Sequence, residues 1–85
     1  MSAPPASDER SRMLGVVECF VAVVNQCPNG SVRRMTENAL LAVERDGAAG
    51  LPEQAFLVLT AIRGWQGNRA AQVKRSLQAF LDAAS

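Results

Sequence analysis

Few residues in this 85-residue chain can do chemistry near neutral pH. The chain has no His and no Tyr, and its two thiols are Cys19 and Cys27. No imidazole is present to activate either thiol, and each cysteine lies in or beside an apolar segment that disfavours the thiolate. We therefore expect a protein that is not an enzyme and that turns over no small-molecule substrate.

The same residues argue against a metal site, a cofactor and a disulfide. Two cysteines without His or a second Cys pair cannot complete a tetrahedral metal site. Residues 47–50 (GAAG) lack the Lys-Ser/Thr of a phosphate-binding loop. On one helix, Cys19 and Cys27 would have Cα atoms about 12 Å apart, whereas a disulfide needs roughly 7 Å or less. The sequence predicts buried free thiols in a reducing compartment, with no metal and no cofactor.

One tryptophan marks the best candidate for a binding site. Trp65 lies between Arg63 and Arg69 in a glycine-containing segment. Trp and Arg are the residue types most enriched among the energetically dominant residues of protein interfaces. The alternative is that Trp65 closes one end of the apolar core. The candidate partner-binding residues are Arg63, Trp65, Arg69, Gln72, Lys74 and Arg75.

These residues also allow a second hypothesis, a helix-turn-helix DNA-binding regulator. Helix 68–84 would enter a major groove with Arg69 and Gln72 near its N-terminus, where base contacts are made. Against this, the turn holds two glycines and Trp65, whereas the usual turn is tighter. The net charge of +1 is also low for a protein that neutralises many phosphates. The leading hypothesis is therefore a small helical regulator, adaptor or inhibitor that binds a protein partner.

Helical periodicity predicts that these residues sit on an all-α fold. In the first helix, 8–26, an apolar row recurs at steps of 4, 3, 4 and 3, through Met13, Val17, Phe20, Val24 and Cys27. Several β-branched residues in this stretch favour a strand instead. The strict alternation of a half-buried strand is absent, so we predict a helix.

Three more helices follow, at 32–46, 52–64 and 68–84. Ser31 and Asn68 are predicted N-caps, and Pro52 suits the first position of its helix. Arg33 and Glu37 are spaced as a surface ion pair, and helix 52–64, the most apolar, is expected to be central and buried. The fold prediction is a compact bundle of four short helices in one domain, 7–85, with a loose tail at 1–6. The core is expected to include Phe20, Leu59, Ile62, Leu77 and Phe80.

Localisation follows from the apolar stretches. Residues 13–24 have the length of a signal-peptide core, but Glu18 interrupts them and no Ala-x-Ala cleavage site follows. No apolar run reaches the length of a membrane span. We expect a cytoplasmic protein with no membrane partner. Eight Arg against one Lys, with abundant Ala, are compatible with a GC-rich bacterial genome.

The number of apolar residues on two of the predicted helices indicates that the protein associates with another chain. Helices 8–26 and 52–64 are apolar on most sides, and an 85-residue monomer can hardly enclose both of them. The exposed patch that results would be buried in a homodimer or would bind a different protein. Of these two, a homodimer is expected.

Overall fold

Helices make up most of the computed structural model, which describes residues 13–84. The described residues include no β-strand, and the predicted all-α bundle is confirmed. The predicted tail at 1–6, and residues 8–12 of the first predicted helix, lie outside the described residues. A 3-10 helix, Gly47–Gly50, joins the second and third of four α-helices, which are α1 (Val16–Gln26), α2 (Gly30–Asp46), α3 (Leu51–Ala61) and α4 (Asn68–Ala84).

The helices form a ring around one apolar core. Each packs against its neighbours in the chain, and α4 closes the ring by packing on α1. The buried apolar residues form a single cluster, whose largest fully buried members are Phe20, Val23, Val58, Ile62, Val73 and Leu77. Three of the five predicted core residues are therefore confirmed. The prediction is wrong for Leu59 and Phe80, which pack against the edge of the cluster and stay partly exposed.

The first helix starts later than predicted. Residues 13–15 are not helical, and Gly15 holds the N-cap position with φ −70° and ψ 165°. Its N–H donates to Oε1 of Glu18 at 3.0 Å, and the N–H of Leu14 donates to the Ser76 hydroxyl on α4 at 2.9 Å. These bonds satisfy the backbone outside the helix, so a continuous helix 8–26 is wrong.

The buried face of α1 is not the predicted apolar row. Met13 and Val17 are exposed, while the core receives Val16, Cys19, Phe20, Val23 and Cys27. The residues at 16, 20, 23 and 27 have the same 4-3-4 spacing as the predicted row and share Phe20 and Cys27 with it. Two apolar rows were therefore available on one helix, and packing against α2 and α4 selected between them.

The second helix is capped by Asn29, and the prediction of Ser31 as its cap is wrong. Oδ1 of Asn29 accepts hydrogen bonds from the N–H groups of Ser31 and Val32, at 2.9 and 3.1 Å. Arg33 does not pair with Glu37 as predicted. Its Nη1 donates instead to the carbonyl of Cys27 at 2.8 Å. A cation there satisfies a carbonyl at the negative end of the α1 dipole.

Replacing Asn29 with Ala should lower the free energy of unfolding by about 1 kcal/mol, because two N–H groups at the start of α2 lose their acceptor. The matched control is Ser31→Ala, since the exposed Ser31 supplies only its backbone to the cap. That change should stay within about 0.5 kcal/mol of the parent. Chemical denaturation monitored by circular dichroism measures both values. A larger loss for Ser31→Ala than for Asn29→Ala would contradict this capping assignment.

The third helix is neither as long nor as buried as predicted. It ends at Ala61 rather than at 64, and its exposed residues include Phe56 and Leu57. A ring of four helices has no central position, so α3 can bury only one face, which Ala55 and Val58 occupy. The prediction of a central helix is therefore wrong.

Two glycines with positive φ define the C-terminal end of α2 and the start of α4. Gly47, with φ 70° and ψ −155°, caps the C-terminus of α2 in a conformation that residues with a Cβ atom rarely adopt. Gly67, with φ 117°, precedes α4, and its carbonyl accepts the N–H of Ala71 at 3.0 Å. That bond puts the N-cap position on Gly67 rather than on the predicted Asn68. The predicted bounds of the last helix, 68–84, agree with α4.

Candidate functional site

The turn between α3 and α4 places Trp65 at the end of the core. The backbone N–H of Trp65 donates to the Ile62 carbonyl at 2.9 Å, which folds the turn back on α3. Only 9% of the residue is exposed, and it belongs to the buried cluster. With Cys27, Val32 and Ile62, Trp65 lines a groove of about 350 Å³ between this turn and the α1–α2 turn. Trp65 therefore contributes mainly to the core, and little of it is available to a partner.

The polar residues of the predicted site are not all at the surface. Gln72 would have to lie at the surface to bind a partner as predicted, but only 3% of it is exposed. Its Oε1 accepts a hydrogen bond from Nη1 of Arg69 at 2.7 Å. Gln72 and Ser76 are one turn apart on α4, and both are buried. Gln72 therefore lacks the exposure that its predicted role as a partner-binding residue requires.

The four cations of the predicted site differ in their surroundings. Arg63, Arg69 and Arg75 are exposed, whereas Lys74 is half-buried. Nζ of Lys74 donates to the carbonyl of Arg63 at 3.1 Å, so the ammonium ties α4 to the end of α3. Lys74 therefore stabilises the connection between α3 and α4.

A second groove runs along the outer side of α1. Its apolar part consists of Leu14, Val17, Val21 and Ala22, and its polar rim of Glu18, Asn25, Gln26 and Arg69. We call these eight residues the α1 groove, which has a volume of about 380 Å³. Val17 and Val21 are one turn apart and are 49% and 43% exposed. An apolar floor with a polar rim is the usual composition of a protein interface.

A third groove lies between α2 and α3 and has a volume of about 450 Å³. Leu41 and Leu57 supply its most exposed apolar side chains, and Asn38, Arg45 and Gln54 supply polar groups. We call it the α2–α3 groove. Sequence reasoning missed this groove, because no role was assigned to Leu41 and because the groove forms only where α2 packs against α3.

The two cysteines are buried, as predicted, and both are free thiols. Burial raises the pKa of the Cys19 thiol to about 12, and the negative charge of Glu18 acts in the same direction. Sγ of Cys19 approaches the Val73 carbonyl at 3.9 Å. Within residues 13–84, no group of three or more His, Cys, Asp or Glu side chains is arranged to hold a metal ion. Cys19 is thus held as a neutral, packed side chain.

Comparison with protein-family models, with curated proteins and with solved structures found no match to this chain. In addition, none of the helices between residues 13 and 84 is long and apolar enough to cross a lipid bilayer.

Proposed function

We propose that this protein is a non-enzymatic interaction module, a regulator, adaptor or inhibitor, that binds a protein partner in the α1 groove. The exposure of Val17 and Val21 on one side of α1 carries this proposal. Isolated exposed apolar residues are common, but adjacent ones that line a concave surface are typical of a docking site. The apolar floor would supply the binding energy and the polar rim would orient the partner.

The partner that best fits the groove is an amphipathic helix of another protein. Val17 and Val21 form a short row along α1, which matches the apolar side chains of a partner helix spaced at i, i+3, i+4 and i+7. The rim holds one acid, Glu18, and one base, Arg69, so the groove has no dominant charge. Selection would therefore depend on apolar fit more than on net charge.

The DNA-binding alternative has less support. Gln72 is buried, and Lys74 bonds to the Arg63 carbonyl, so two side chains assigned to base or phosphate contacts are engaged within the fold. Phosphate contacts by several cations dominate the affinity of most DNA-binding proteins. We also infer a reducing, cytoplasmic setting, because two free thiols are packed in the core where a disulfide would have to displace apolar neighbours.

Site-specific photo-crosslinking in the native cell tests the proposal. A photoreactive residue at Val17 should give one defined adduct with another protein, because Val17 lines the α1 groove. The same residue at Gln78, which is exposed on α4, is the matched control and should not give that adduct. With the purified partner, Val21→Asp should weaken binding about 10- to 100-fold, since a carboxylate would be buried in an apolar contact.

Three results would overturn the proposal. The first is the absence of any adduct from Val17, and the second is an adduct formed only with another copy of the chain. The third is tight, steeply salt-dependent binding to duplex DNA that persists in Val21→Asp. Because Val21 is exposed, the variant should keep the circular dichroism spectrum and melting temperature of the parent.

A further inference from the structure

On the outer face of α2, one exposed apolar residue has an acidic residue about one turn before it and a basic residue about one turn after it. Leu41 is 63% exposed, more than any other large apolar side chain of residues 13–84. Glu37 and Asn38 lie four and three residues before it, and Glu44 and Arg45 lie three and four residues after it. Residues at these spacings share one side of a helix with the residue between them. We call these five residues the α2 face, and all of them are exposed.

This order becomes self-complementary when two copies of α2 cross antiparallel at Leu41. A twofold axis through Leu41 places each residue at a given distance before it opposite the residue at the same distance after it on the other copy. Glu37 then meets the partner's Arg45, and Arg45 meets the partner's Glu37. Asn38 similarly meets the partner's Glu44, a donor opposite an acceptor. Each copy contributes both charges, so two equivalent ion pairs form.

We propose that a second copy of this chain docks on the α2 face, with Leu41 at the twofold axis and Glu37 of each copy paired with Arg45 of the other. The α2–α3 groove beside Leu41 supplies the apolar floor for this contact, since Leu57 also lines it. Arg45 contacts Asp46 at 3.1 Å in the single chain. Both side chains of that pair are well exposed, so solvent screens it and Arg45 is able to reorient toward a docked copy.

Self-complementarity favours a second copy over a different protein. Another partner would need its own alternation of acid, apolar residue and base, whereas a copy of this chain carries it already. The α2 face and the α1 groove share no residue, so dimerisation leaves the groove residues available. The dimer and the proposed function therefore stand or fall separately.

Sedimentation equilibrium of the full chain over a wide concentration range tests the dimer. The mass should rise from 9.1 kDa toward twice that value. Leu41→Asp should raise the dissociation constant about 100-fold or more, because two carboxylates would meet at the axis. Val17→Asp is the matched control on the α1 groove and should leave the dissociation constant unchanged. Both positions are exposed, so the variants should fold, which circular dichroism checks.

A charge exchange tests the twofold register. Glu37→Arg and Arg45→Glu should each raise the dissociation constant about 10-fold at low salt, because each places two like-charge pairs across the interface. The double variant carries the opposite but again complementary charges, so it should recover the parent's affinity. A mass of 9.1 kDa at all concentrations would overturn the proposal. So would a dimer lost in Val17→Asp and kept in Leu41→Asp, or a double variant no tighter than the single ones.

Discussion

Replacing Leu77 with Ala should lower the free energy of unfolding by about 2–5 kcal/mol. Leu77 is completely buried, on the face of α4 that meets the core. Removing its branched end would leave a cavity that neighbouring helices can fill only in part, so transfer and cavity effects add. A domain of this size has a total stability of only a few kcal/mol, and the variant should therefore be largely unfolded near physiological temperature.

The matched control is Leu41→Ala, the same chemical change at an exposed leucine. Surface substitutions of this kind usually change stability by no more than about 0.5 kcal/mol. The comparison is made below the dimer dissociation constant, where loss of self-association does not contribute. Thermal and urea unfolding measure both variants. If Leu77→Ala melted within a degree or two of the parent, α4 would not pack on the core as described.

The thiol of Cys19 should react about a thousand-fold more slowly in the folded protein than in the unfolded chain. Its pKa rises from 9.0 to about 12, chiefly because burial penalises the thiolate and also because Glu18 is nearby. Because the two pKa values differ by about three, the folded protein holds about a thousand-fold less thiolate at any pH below both values. The thiolate is the reactive species. In a Cys27→Ala background, a chromogenic thiol reagent at pH 8 should therefore label Cys19 only after denaturant is added. Folded and unfolded rates within about ten-fold of each other would contradict the burial of this thiol.

The same pKa shift predicts how stability depends on pH. The folded state keeps the Cys19 proton to a higher pH than the unfolded state, so between about pH 9 and 12 it binds more protons. The contribution of Cys19 to the free energy of unfolding is therefore fully present below the unfolded pKa near 9.0. It is lost as pH rises through about 12. Cys19→Ala should flatten this part of the curve, and urea titrations of parent and variant at several pH values measure the difference. An equal fall in both proteins would assign it to other groups.

Much of the candidate site depended on packing that local sequence does not report. Arg63, Arg69 and Arg75 are exposed, in keeping with their long charged side chains. Gln72 is buried although glutamine is usually a surface residue, because its place on α4 lies in line with Ser76 and because Arg69 donates to its amide oxygen. Ser76 itself bonds to the backbone of Leu14, 62 residues away in the chain. Hydrogen-bond partners that are so far apart in the chain produce no periodic pattern in the local sequence.

The sequence by itself determined the helical class, the bounds of the last helix and three of the largest buried side chains. Periodicity, glycines and proline act within a few residues of each other, so Phe20, Ile62 and Leu77 and the span 68–84 were predictable. Only the tertiary structure decided which of two apolar rows α1 buries and that Phe56 and Leu57 of α3 stay exposed. A helix that is apolar on most sides has no preferred face of its own. Its orientation is set by which neighbours pack against it, and those contacts join residues far apart in the chain.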